Sequence, residues 1–204
     1  MIAAFLLLTQ TASAPPKPTR LPGDAAISLR LVRPKVAWLP VVANYDPTDK
    51  TFDPAQAGDG VTAGLLHPEK KPTTYTVVTG SKWDAAKSAQ GLAKSPAKGK
   101  GFDFKRVQAA GQAAGVDYVG MVVLAGAKYG SNPHQSWILL EGVLQVLDVK
   151  TGKVAGDPVL VSGSDNNSPH DAPKKYTAIV WKAGYQLGAS SAPMQLKATL
   201  AKLK

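Results

Sequence analysis

Cysteine is absent from this sequence of 204 residues. Its absence excludes disulfides, thiolate metal sites, a thiol nucleophile and a lipid-modified N-terminal cysteine. Acidic residues number fourteen, and Glu69 and Glu141 are the only glutamates. Arginine is scarce as well: Arg20, Arg30, Arg33 and Arg106 stand against twenty lysines in a net charge of +10. Readers of phosphate and bases favour arginine forks. A lysine excess signals solubility and weak attraction to polyanions. Aromatic residues make up 7% and are not interleaved with the lysines, which argues against a stacking platform for single-stranded nucleic acid. No run approaches the roughly 18 apolar residues that span a bilayer, so a chain freed of any leader is expected to be soluble.

What is present suits one ordinary domain with a real core. The hydrophobic content is 44%, and nineteen glycines with sixteen prolines imply many turns. "MIAAFLLLTQTASA" carries an apolar run and then a small-residue site. It reads as a signal peptide over residues 1–14 and implies export to the periplasm or beyond. The other reading of the same stretch is an apolar N-terminal strand or tail. Residues 15–27 are rich in proline and polar side chains and read as an extended linker, leaving one domain over 28–204.

Periodicity places the elements. "PKVAWLPVVANYD" reads as a strand with Val36, Trp38, Val41 and Val42 in the core, and Pro40 demands an edge position or a bulge. Asp53 and Pro54 open a helix that ends before Pro68. Residues 73–80 form a strand, and Ser81 caps the next helix with Asp84 completing a capping box. A helix over 103–114 lines up Phe104, Val107, Gly111 and Ala114. "VDYVGMVVLAG" is apolar on both faces, as a central strand is. Residues 135–149 form a long strand, turned at Gly152 into an antiparallel partner. Tyr176, Ile179, Val180, Ala183 and Leu187 mark an amphipathic helix, which restarts at Ser191-Ala-Pro193 for Leu196, Leu200 and Leu203. The fold class is an α/β (α+β) sandwich: a mixed sheet of about five strands with helices packed on it.

"AAGQAAGVDYVGMVVLAG", residues 109–126, tests for a nucleotide site. A phosphate cradle needs its glycines after a strand and before a helix, where free amides meet the anion. Gly111 and Gly115 come before the strand, at the negative end of a helix. They read instead as a close helix–sheet contact and a helix stop.

The series "KVAWLPV", "AAGVDYVGMVVL", "LQVLDVKTGKV" and a C-terminal amphipathic helix resembles an α/β domain known from three envelope groups. They are the N-terminal domain of the Tol-system propeller protein, the curli-secretion-channel subunit and the periplasmic penicillin-binding-protein activators. The resemblance spans residues 34 to about 190 and rests on architecture. It implies an exported, non-catalytic domain that binds other proteins of the cell envelope or self-assembles. The sequence has neither a lipidated cysteine nor a propeller, so the resemblance does not carry over membrane anchoring or channel formation.

No motif assigns catalysis, and no catalytic residue, cofactor site or metal site is expected. His67, His134 and His170 all lie in loop-like contexts without metal spacing. His170 beside Asp171 reads as a loop histidine or as half of a carboxylate–histidine pair. "GSDNNSPHD" lacks the spacing and closing glutamate of a calcium loop. Counting by two from Trp137 puts Glu141 on a face with Leu139, Val143 and Gln145. Glu141 is either a buried carboxylate with a role or a surface residue paired with a lysine.

The positive charge concentrates in two regions, +5 over residues 82–106 and +6 over residues 174–204. On one face they would make a basic surface; otherwise they are solvated helix faces. The expected partner surface is the C-terminal helical segment, through Lys174, Lys175, Lys182, Lys197 and Lys202. Trp181 is its aromatic anchor unless it belongs to the core. The alternative reading is a lysine-rich binder of polyanions or nucleic acid, which salt would weaken steeply.

Overall fold

The computed structural model describes residues 32–45, 53–68, 71–97, 99–132, 135–167 and 176–203. The leader and linker expected over 1–27 lie outside them, as do Lys174, Lys175, His134 and His170. The elements below belong to one unit, Arg33–Lys204.

Among the described residues seven strands form one mixed sheet. They are β1 (Lys35–Trp38), β2 (Val42–Ala43), β3 (Thr76–Val77), β4 (Tyr118–Ser131), β5 (Ser136–Asp148), β6 (Lys153–Val154) and β7 (Val159–Asn167). They run in five lanes, because β1 and β2 share one side of β4 and β6 and β7 share one side of β5. β1 is parallel to β3 and β4, and β5 is antiparallel to β4 and β7. β3 pairs with this lane only at Lys35 and Val36, so around Pro40 the described residues give the lane a partner on the β4 side alone, the edge position the proline demands. The lane breaks over Leu39–Val41 and resumes, since Pro40 has no N–H to offer a neighbour.

Period-2 alternation sorts each strand between two helical layers. Val36 and Trp38 of β1 join a core with α1 (Pro54–Leu66), α4 (Tyr176–Gln186) and α5 (Ala192–Lys202). Ala37 and Leu39 turn the other way, onto α2 (Ser81–Ala89) and α3 (Phe104–Ala114). α1 and α4 pack closely because glycines stand where their backbones meet. A Cβ on Gly60 would strike the Trp181 carbonyl, and one on Gly184 would strike that of Ala57.

Local chemistry explains most boundaries. The Asp53 carboxylate accepts from the Ala55 N–H, and that of Asp103 from the N–H groups of Lys105 and Arg106. Gly115 ends α3 at φ 72°, and Gly111 sits so close to Val149 that a Cβ would collide with its methyls.

Four local expectations are corrected. Gly80, not Ser81, is the N-cap of α2; its φ of 99° suits glycine, and Ser81 is already helical. Phe104, the first residue of α3, is 36% exposed, and Ala110 takes its place in the buried stripe with Val107, Gly111 and Ala114. β3 is only two residues long. The C-terminal helix does not restart at Ser191. It runs on through a π turn, Leu187–Ser191, in which the Ala192 N–H bonds the Leu187 carbonyl. Pro193, with no N–H to give, is accommodated just after this widened turn.

Candidate interaction surface

The layer of α2 and α3 is shorter than the sheet. α3 reaches β4 and β5 around Val119, Met121, Leu147 and Val149. Beyond Val123 and Val143, no described helix covers that face of β4, β5 and β7. The opposite face stays closed: Ile138, Leu140, Leu144 and Val161 are buried under the α1–α4–α5 layer.

Register fixes what the open face carries. Val123, Val143 and Leu160 lie in one row across β4, β5 and β7; Gly126, Glu141 and Ser162 lie in the next. Lys128 with Leu139, and Gly130 with Trp137, follow. A bulge between Leu124 and Gly126 puts the extra residue, Ala125, on β4 and keeps Lys128 on this face. The Trp137 indole lies over Gly130, where a Cβ would strike the ring. Trp137 is 39% exposed and Leu160 78%, so a large apolar group stands at each end of the face. Between them Lys128 Nζ meets Glu141 Oε2 at 3.0 Å. Glu141 is therefore a lysine-paired surface carboxylate, its side chain 43% exposed. Leu160 is itself part of the wall of a recess of about 380 Å³, with Ala125, Gly126, Glu141, Gly142, Val161 and Ser162.

The surface expected from the sequence is only partly assembled. Trp181 is 40% exposed and outside the core, its ring stacked on Tyr185 at 5.4 Å. The Tyr185 hydroxyl donates to the His67 carbonyl at 3.1 Å, which holds the stack against the end of α1. Lys182 flanks Trp181 on α4, while Lys197 and Lys202 sit on α5 beyond the π turn, all three exposed. Among the described residues the two basic regions do not merge. α2 and α3 lie on one side of the sheet and α4 and α5 on the other.

A cleft of about 770 Å³ opens where β1 and β3 end and the chain departs to α1 on one side and α2 on the other. Ligands favour such a place in α/β sheets. Its polar groups are mostly spent within the fold, however. Thr62 and Ser95 donate to the carbonyls of Gly58 and Val41, and Asp84 pairs with Lys87 at 3.0 Å. Asp59, Thr79 and the Trp38 indole N–H also line it. Among the described residues no group of three His, Asp or Glu is placed to hold a metal ion, and no helix is long and apolar enough to cross a membrane.

No protein-family model matches the chain, and no curated protein matches its sequence. Solved structures do. Lipoprotein GNA1162 from Neisseria meningitidis is 12% identical with a TM-score of 0.46, over 83% of this chain and 97% of that one. Protein CT253 from Chlamydia trachomatis is 14% identical with a TM-score of 0.43, over 84% and 95%. The LpoB C-terminal domain from Escherichia coli is 19% identical with a TM-score of 0.37, over 66% and 82%. LpoB is a penicillin-binding-protein activator, one of the groups the sequence resembles. At these identities no residue role and no partner carries over.

Proposed function

We propose that this is an exported, non-catalytic protein of the cell envelope that works by holding another envelope protein, or a further copy of itself, in an accessory or scaffold role. The open sheet face carries this reading. A sandwich whose other sheet face is closed leaves Trp137 and Leu160 exposed on a rigid three-strand platform. Large apolar groups rimmed by polar ones mark protein contact surfaces. The leader-like N-terminus supports export, and the resemblance to envelope domains supports the role. Trp181, with Lys182, Lys197 and Lys202, and with Lys174 and Lys175 outside the described residues, is a second contact in the proposal.

Affinity capture of the tagged chain from its own envelope fraction at moderate salt tests this reading. A stoichiometric envelope protein is expected, lost with Leu160→Asp and with Trp137→Ala. Retention by both variants overturns the assignment of the face. The polyanion reading is weakened by the split of the basic regions across the sheet. Recovery of nucleic acid alone, washed off by salt, would restore it.

A further inference from the structure

We propose that the cleft at the ends of β1 and β3 binds a short apolar peptide with both ends free. The inference goes beyond the function proposed above and does not depend on the open face. Topology is the first argument. β1 and β3 are parallel neighbours, yet the chain goes on from the β1–β2 lane to α1 on one face and from β3 to α2 on the other. Such a fork in a parallel sheet is where α/β folds seat ligands. At about 770 Å³ the cleft has the volume of a small-molecule site. Leu39, Pro40, Leu66 and Val78 give it apolar walls, and Leu66 is 41% exposed.

The polar groups left over are the second argument. Trp38 is 5% exposed, and its buried indole N–H has no partner. A Cβ on Gly120 would strike Cζ3 and Cε3 of the ring. The opposite edge, which carries the N–H, is therefore turned away from β4 and into the wall of the cleft. On one side stands Asp59 of α1, an exposed carboxylate with no partner among the described residues. On the other stands the start of α2. Gly80 caps it at φ 99° with no side chain to give, so the first amides of the helix, Ser81 to Trp83, lack a side-chain acceptor. These amides favour an anion, and Asp59 favours a cation. An indole N–H between them suits a peptide carbonyl. Asp59, Asp84 and Lys87 leave the lining at −1 in a chain of +10, so a bare anion is opposed and a ligand carrying both charges is not.

Size restricts the ligand further. Helices about 10 Å thick on either side of a sheet leave roughly 10 Å between their facing sides at its end. An extended residue spans about 3.5 Å, so about three residues carry an ammonium at Asp59 to a carboxylate at α2. A longer chain cannot enter as an added strand. Trp83 Nε1 donates to the Trp38 carbonyl at 3.1 Å, Ser95 Oγ donates to the Val41 carbonyl at 2.6 Å, and Pro40 has no N–H. The lane edge beside the cleft is thus spent, and the space is left to a discrete molecule.

Two-dimensional NMR of the full-length chain, titrated with trileucine to millimolar concentrations, tests the site. The Trp38 indole N–H and the amides of Gly80 to Trp83 should shift together and saturate. Acetylating the peptide's N-terminus and Asp59→Asn should each weaken binding by about tenfold. Asp59→Asn should then be indifferent to acetylation, because both remove the same contact. Ser81→Pro removes one free amide at a position where proline suits a helix start, so α2 stays folded and binding weakens by about threefold. No saturable shift, shifts confined to residues outside the cleft, or equal binding of trileucine blocked at both ends overturns the site. Envelope capture and its loss in Leu160→Asp do not bear on the cleft, so the two readings fail separately.

Discussion

Gly60 and Gly184 show how far a single methyl group matters here. Each stands where a Cβ would meet a carbonyl oxygen of the facing helix, so alanine must push α1 and α4 apart. Alanine favours a helix by up to about 1 kcal/mol over glycine. Overpacking at a backbone contact costs about 1–3 kcal/mol, and displacing both helices adds to it. Gly60→Ala and Gly184→Ala are therefore each expected to lower stability by about 2 kcal/mol in urea unfolding. Unchanged midpoints would contradict the close packing. Tyr45 and Tyr75 make a second residue-scale test. Burial pushes both hydroxyls up to about 12, with the nearby Asp53 carboxylate adding to the effect at Tyr45. The folded state thus prefers the protonated phenols. Their contribution is fully present below the ordinary value of 10.0 and is lost as pH rises from there through about 12. Stability should fall over that window, and Tyr45→Phe and Tyr75→Phe should each flatten the fall.

Among the elements, what was readable in the sequence is what local chemistry decides. Asp53 and Gly115 state their roles as caps without any tertiary information, and β4 announces itself as central by being apolar on both sides; Asp103, read as the first helical residue, is the N-cap of α3. Asp103→Ala, which frees the amides of Lys105 and Arg106, should cost about 1 kcal/mol in thermal or urea unfolding. An effect near zero would mean that solvent replaces the cap. Other features depend on partners that the sequence does not name. Pro40 interrupts the β1–β2 lane without ending it because β4 is long enough to bridge the gap. The π turn before Pro193 depends on α1 packing against Leu187 and Gly188. The open face was half legible. Alternation in β5 groups Trp137, Leu139, Glu141 and Val143, but only the register with β7 brings Leu160 beside them. Only the short reach of α3 leaves them uncovered. Trp181 was legible to the same degree. Its place off the apolar stripe follows from helical spacing, and its stack on Tyr185 does not.

For the molecule as a whole, the sheet divides the charge as well as the core. Among the described residues one basic region rides on the α2–α3 layer and the other on the α4–α5 layer, so their lysines do not share one face. Retention on an anionic column should therefore be modest and should collapse at moderate salt, whereas envelope capture should persist there. The uncovered end of the sheet is the surface this architecture leaves for a partner. A photo-activatable cross-linker placed at Leu160 in living cells, with one at Lys182 for comparison, tests that most directly. The account predicts a discrete product from Leu160, joined either to an envelope protein or to a second copy of the chain. No product from Leu160 alongside a strong one from Lys182 would contradict it and move the interface to α4.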